Sequence, residues 1–331
     1  MRRLRQFLTL TRFTALEALR QPIALLLSLT GLAAIVLAPL LRLHNLGSDS
    51  ALVRDTALAL HAGVGLLVAG VAASNALARE TRRGTALAVL AKPVERDLFF
   101  LAKFAGTVCV VLLFSLCATL ATLLSERAAD VFIVRPDRIG YVADFRTAWL
   151  ALGALAAACV IAALANYRRR RPVGSVAALA FVPALGLVVL IAGFFDRWGG
   201  WAPFEFDLNW SVLPASALVT LALLVLAALA LACSALFGPG PTLVIVAGCF
   251  VVGLLSDYLF GRFAAGSLAA RMLHTLLPNW QHFWMCDALD LQGGIPWSYV
   301  GMAGGYAAVY STALLAAGIA VFRCADLAGE E

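Results

Sequence analysis

Residues 80–106 concentrate the polar chemistry of this chain. Arg82, Arg83, Lys92, Arg96 and Lys103 alternate there with Glu80, Glu95 and Asp97, around a Gly84-Thr85 pair and the proline Pro93. Gly84 is placed to end an incoming helix, and Thr85 to cap a new one by accepting from backbone N–H groups two or three residues on. Residues 86–91 then make about one and a half turns with Leu87, Leu90 and Ala91 on one face, until Pro93 disfavours helix at Lys92. Glu95 or Asp97 is placed to cap the next helix, which is expected to carry Phe99, Phe100 and Phe104 into an apolar layer. The segment holds no nucleophile beside a base, so its spacing suits docking rather than bond-making.

Catalytic constellations are equally scarce elsewhere. No glycine-rich loop ending in Gly-Lys-Ser/Thr offers a cradle for nucleotide phosphates, and no His-Glu-x-x-His or Gly-x-Ser-x-Gly pattern occurs. The four histidines (His44, His61, His274, His282) are scattered. Of the seven cysteines, Cys109, Cys117, Cys159, Cys233 and Cys249 lie in apolar runs, and Cys286 and Cys324 fall on opposite sides of the deduced topology, which gives no disulfide framework. The chain is therefore expected to be no enzyme and to need no catalytic residue, cofactor or metal.

The elements that position residues 80–106 follow from composition. The 331 residues are 62% hydrophobic and 13% charged, and the apolar residues fall into runs that can cross a ~30 Å hydrocarbon layer as helices. Eight such spans are expected, at residues 22–41, 57–77, 104–124, 148–165, 173–195, 212–237, 242–260 and 300–322. Their Ala, Leu, Val and Gly content, without polar alternation at period two, selects helices over a barrel. With the N-terminus inside, Arg2, Arg3, Arg5, Arg12, Arg20, Arg79, Arg82, Arg83, Lys92, Arg96, Lys103, residues 168–171 and Arg323 face the cytoplasm, sixteen of 25 Lys and Arg. All seven tryptophans then reach the outer side, so both termini are placed inside, in a multi-pass protein of the cell (inner or plasma) membrane. The net charge of +6 thus reports topology, not nucleic-acid binding.

Several local expectations follow. Residues 1–21 form an amphipathic interfacial helix with Leu4, Phe7, Leu8, Thr11, Ala15, Ala18 and Leu19 in one sector. His61 is a hydrogen-bonded packing residue, since no acid lies within helical reach. Small residues of the second span, among them Gly63, Gly65 and Gly70, permit close helix contact. Residues 131–134 form a short strand, and residues 238–241 (Gly-Pro-Gly-Pro) a rigid turn. Asp257 sits near the outer interface, and residues 262–299 make a re-entrant or interfacial segment on the outer side. Nearly uncharged spans argue against an ion-driven carrier, because such proteins place acids, His or Arg at depth.

The pattern Glu80, Gly84-Thr85, Leu90-Ala91-Lys92-Pro93-Val94, Arg96, Phe99, Lys103-Phe104 and Gly106 resembles the first cytoplasmic loop of type-2 ABC transporter permeases. The amphipathic N-terminal helix fits the same class, as do Leu277-Pro278-Asn279 with Phe283 and Asp287-Ala288-Leu289, and Phe322-Arg323 with Asp326-Leu327. The resemblance covers residues 1–127 and 212–327. It implies an all-α, polytopic membrane protein with a transmembrane domain over 22–331 and a coupling segment over 78–98. The domain is a six-span core with an inserted helical hairpin at 148–195. It further implies two copies of a separately encoded ABC ATPase docking on Glu80, Gly84, Thr85, Leu87, Leu90, Lys92, Pro93 and Arg96, and a second permease copy, identical or related. Membrane lipids complete the partners. The function so implied is that of the transmembrane permease subunit of an exporter driven by ATP hydrolysis on its partner. The alternative is a non-transporting membrane scaffold or regulator of an envelope assembly. The chain departs from the pattern in the added hairpin, in Gly-Pro-Gly-Pro where a basic second cytoplasmic turn is usual, and in a single arginine near the C-terminus.

Overall fold

The computed structural model describes residues 2–40, 49–82, 95–135, 138–204, 207–263, 266–290 and 294–324. Eleven α-helices follow in chain order among them: α1 (Arg2–Leu19), α2 (Pro22–Leu37), α3 (Asp49–Arg82), α4 (Arg96–Ala128), α5 (Phe145–Arg169), α6 (Val173–Gly193), α7 (Val212–Ser234), α8 (Pro239–Leu254), α9 (Ser256–Leu259), α10 (Leu268–Leu276) and α11 (Trp297–Cys324). A hairpin of β1 (Val131–Arg135) and β2 (Arg138–Val142) is the one sheet among the described residues, with Val131 opposite Val142. The expected strand is present, and its partner strand is an addition.

Seven described helices are long and apolar enough to cross a membrane. The expected seventh span is broken instead, since α8 and the turns after it bend by 66°. Arg3 of α1 and Arg323 of α11 both reach the start of α4. The two ends of the described chain therefore lie at one end of the bundle, and an even number of crossings makes α8 the eighth.

Helices α3 and α4 span 34 and 33 residues, about 50 Å each, and overrun a ~30 Å hydrocarbon layer at both ends. Hydropathy registers their middles alone, which is why the expected spans 57–77 and 104–124 were shorter. Both helices contribute to two apolar cores. One joins them to α7, α11, Phe283, Cys286 and Ile295 through Leu66, Ala69, Phe100, Leu218, Leu226 and Trp280. The other joins them to α2, α5 and α6 through Leu32, Val68, Val110, Ala151 and Phe181. The small residues of α3 give it close contact with α7. The α5–α6 hairpin packs on α2 and α4.

Helix α1 lies along α4, and the C-terminal part of the expected sector faces the bundle: Ala18 is buried, with Ala15 and Leu19 packed beside it and Thr14 added from outside the sector, whereas Leu4 and Leu8 are more than half exposed. A β-carbon on Gly106 of α4 would stand 2.6 Å from Thr14 Cβ, so the close approach of α1 requires glycine there. His61 is fully buried, edge-on to Phe114 at 6.0 Å, with both ring nitrogens lacking a hydrogen-bond partner among the described residues. It is a packing residue, as expected, but the expected hydrogen bond is absent there because the groups around it are apolar.

The far end of the bundle is closed by buried charge. Arg127 at the end of α4 pairs with Asp144 at 3.2 Å, both nearly inaccessible, and also donates to the Phe195 carbonyl. Asp144 caps α5 by accepting from the Thr147 N–H and hydroxyl. Asn209 donates to Glu126 at 2.8 Å, and Arg197 donates to the Ala129 carbonyl at 2.8 Å. Burial pulls the Arg197 guanidinium below its ordinary range, opposed by Asp207 and Asp144. Removing one partner of a buried pair leaves an uncompensated charge, worth about 3–5 kcal/mol, whereas replacing both by apolar groups is far milder. Thermal unfolding in detergent should therefore show Arg127→Met strongly destabilised, and Arg127→Met with Asp144→Leu recovering most of that loss.

Candidate functional site at the foot of the fourth helix

At the opposite end of the bundle, α3 ends at Arg82 and α4 begins at Arg96. Of the eight expected docking residues, Gly84, Thr85, Leu87, Leu90, Lys92 and Pro93 lie outside the described residues, as does the expected short helix over 86–91. Glu80 lies on the last turn of α3, and Arg96 opens α4.

The three residues that lead into α4 are each committed to another part of the chain. Glu95 occupies the N-cap position, but its side chain makes no capping hydrogen bond. It accepts from Arg3 of α1 at 2.6 Å instead. Arg96 Nη1 donates to the Arg323 carbonyl at 2.9 Å. Asp97 accepts from Arg323 through both carboxylate oxygens, the Nε contact measuring 2.8 Å. The expected capping by Glu95 or Asp97 is therefore corrected: an arginine offers each carboxylate a charged partner, which outcompetes the backbone N–H.

The paired fork also holds the last helix by its foot. Phe322 lies nearly parallel to Phe99 at 6.1 Å between ring centroids and tilted against Phe100 at 5.8 Å. Phe99 and Phe100 are fully buried, so within the apolar layer they face α11 and not lipid. Lys103, one turn on, is buried with its ammonium 5.3 Å from the Phe99 ring. In the resembling loop pattern, Phe99 and Lys103 thus serve the junction of α4 with α11.

The two helices part above this junction. Between the far halves of α4 and α11, with α7 as its floor, lies a groove of about 650 Å³ lined by Leu116, Thr119, Thr220, Leu221, Trp297 and Gly301. The Thr119 and Thr220 hydroxyls donate to carbonyls one turn back, at Ser115 and Ser216. The groove wall is left apolar. Gly301 and Gly305 of α11, at small-xxx-small spacing, meet no described atom that a β-carbon would touch.

The segment between α8 and α11 folds back into the bundle. Tyr310, about 20 Å along α11, donates to the Thr275 carbonyl at 2.6 Å, and Trp280 donates to the Cys249 carbonyl at 3.3 Å. The Leu277-Pro278-Asn279 tripeptide is its knot. Asn279 donates to Asp257 at 3.1 Å, accepts from the Gln281 N–H at 2.9 Å, and its own N–H donates to the Tyr306 hydroxyl. Asp257 also holds His274 at 2.8 Å, so it is occupied within the segment.

A bundle of eight apolar crossings, with no group of metal ligands among the described residues, defines a polytopic α-helical membrane protein. The chain matches the model of the ABC-2 family transporter proteins over residues 19–186, half of its length, and it belongs to that family. It is thus the permease component of an ABC transporter, a transport and not a catalytic subunit, of a kind that associates with an ABC ATPase. No curated protein matches the chain. The matched segment includes residues 83–95 and most of the α5–α6 hairpin, while Asn279 and Arg323 lie beyond it.

The paired foot has a direct check. With the native cysteines replaced, a chain carrying Asp97→Cys and Arg323→Cys should be joined within the chain by a short bis-maleimide cross-linker in most molecules in membranes, since an arginine–aspartate contact leaves the backbones too far apart for a direct disulfide. The gel shift should vanish when either cysteine is omitted.

Proposed function

We propose that this chain is the membrane half of an ATP-driven exporter whose foot, at the start of α4, receives the stroke of a soluble ATPase. The foot is the cytoplasmic end, by the Lys/Arg bias of the loops. Residues 78–98 are the docking segment, with Leu87 and Leu90 as the contact face and Glu80, Gly84, Thr85, Lys92, Pro93 and Arg96 shaping or anchoring it. The observation that carries this reading is the triple commitment of Glu95, Arg96 and Asp97 to α1 and α11. A displacement of the loop would move α1, α4 and α11 together, because charged hydrogen bonds and stacked rings tie them at one level.

The groove at the other end gives the motion a consequence. An apolar groove open along one side is a half-path, and a second permease copy would close it. Two copies of the chain, each bearing one ATPase on its docking segment, would open the path alternately to either side of the cell membrane. The apolar wall, with its hydroxyls tied back, suits a lipid-like or amphipathic cargo leaving outward. The α5–α6 hairpin is an addition to a six-span core, in keeping with its packing against α2 and α4.

The docking claim is tested by affinity purification of the full chain co-expressed with its ATPase. Leu90→Asp, and separately deletion of residues 85–91, should reduce the recovered ATPase at least tenfold while the permease still inserts. Recovery of stoichiometric ATPase with both variants would refute the docking segment.

A further inference from the structure

We propose that Arg20 and residues 168–171 together hold the headgroup of an anionic phospholipid. Helix α5 ends in a run of four arginines, and the third of them, Arg170, caps it in the left-handed region at φ 50° and ψ 32°. Glycine is the usual residue at that position, because a β-carbon is strained there. The turn is nonetheless held firmly, with the Arg170 N–H donating to Asn166 O at 2.8 Å and Asn166 Nδ2 to Arg171 O at 2.7 Å. An arginine kept at this left-handed cap carries a guanidinium from a position that a glycine would leave empty.

The turn does not stand alone. Where α6 begins, the end of α1 crosses so closely that a β-carbon on Gly174 would lie 2.5 Å from the Leu19 carbonyl and 3.5 Å from Arg20 Cα. Arg20 is thereby brought beside the turn. All five arginines are exposed, and among the described residues none forms an ion pair. Guanidinium groups in this number favour phosphate over zwitterionic or neutral groups, through forked hydrogen bonds as well as charge.

The surface beneath identifies the ligand as a lipid rather than a free phosphate. Val160, Ile161, Leu164 and Tyr167 form an exposed ladder on α5 leading up to the arginines, with Tyr167 86% exposed. A phosphate above an apolar ladder fits a headgroup whose acyl chains run down the helix. Topology alone asks for positive charge in this loop, not for an arginine in a strained conformation beside a second basic element.

The full chain in detergent should be titrated with dioleoylphosphatidylglycerol, dioleoylphosphatidylcholine and inorganic phosphate, reading lipid retained per chain and the thermal midpoint. Phosphatidylglycerol should be retained at least tenfold better than phosphatidylcholine and should raise the midpoint. Arg170→Gly, which relieves the backbone, should weaken phosphatidylglycerol retention about fivefold without lowering the midpoint of the lipid-free chain. Arg20→Gln with Arg168→Gln, Arg169→Gln and Arg171→Gln should abolish the selectivity. Equal retention of the two lipids, unchanged phosphatidylglycerol binding in Arg170→Gly, or displacement by millimolar phosphate would overturn the site. ATPase recovery in the docking experiment reads a separate surface, so the two results are independent.

Discussion

Arg323 reaches back across 226 residues to Asp97, and the arrangement of the permease depends on that contact. The same residue offers its carbonyl to Arg96, so side chain and backbone are both held at the first turn of α4. Phe322, one residue earlier, seals the junction against Phe99 and Phe100. The ion pair is solvent-exposed and adds little to stability by itself, as exposed pairs generally do. Its value is positional: it sets where the last helix stands relative to the loop that precedes α4.

Helices α3 and α4 are the long members of the bundle and the ones shared by both cores. Each has a polar end on either side of the membrane, and the two ends are built differently. At the far end, Arg127, Asp144 and Glu126 are buried, and with the exposed Asn209 they fasten α4 to the loops that surround α5 and α7. At the foot, Glu95 and Asp97 are exposed and are held by single arginines from α1 and α11. A buried network is costly to open and an exposed pair is not. Movement is therefore expected at the foot and along α11, with the far end of α4 as the fixed point.

Much of the fold was legible in the sequence because a membrane imposes one dominant signal. Seven spans, the N-terminal helix and the back-folded segment follow from apolar run length and from interruptions such as Pro278, whereas the 66° break after α8 falls inside a run that hydropathy reads as one continuous span. What hydropathy could not supply was pairing. Arg127 and Asp144 lie seventeen residues apart and Asp97 and Arg323 more than two hundred, and nothing in one sequence links such charges. The sequence places Phe99 and Phe100 in the apolar layer but not on a face of it, because an aromatic at a span's edge has two apolar places to go, and only the position of Phe322 decides between them. The loop pattern around Glu80 and Pro93 located the candidate site, while the commitments of Glu95, Arg96 and Asp97 required the structure.

The central claim is that the foot of α4 and the outer groove are two ends of one mechanism. Spin labels at Leu116→Cys and Val300→Cys, which face each other across the groove, on a cysteine-free background in liposomes with the partner ATPase, read the groove width directly by pulsed dipolar spectroscopy. ATP should shift the distance distribution by several ångströms, and Asp97→Ala should abolish the shift while leaving the nucleotide-free distribution in place. A shift of the same size in Asp97→Ala would contradict the account.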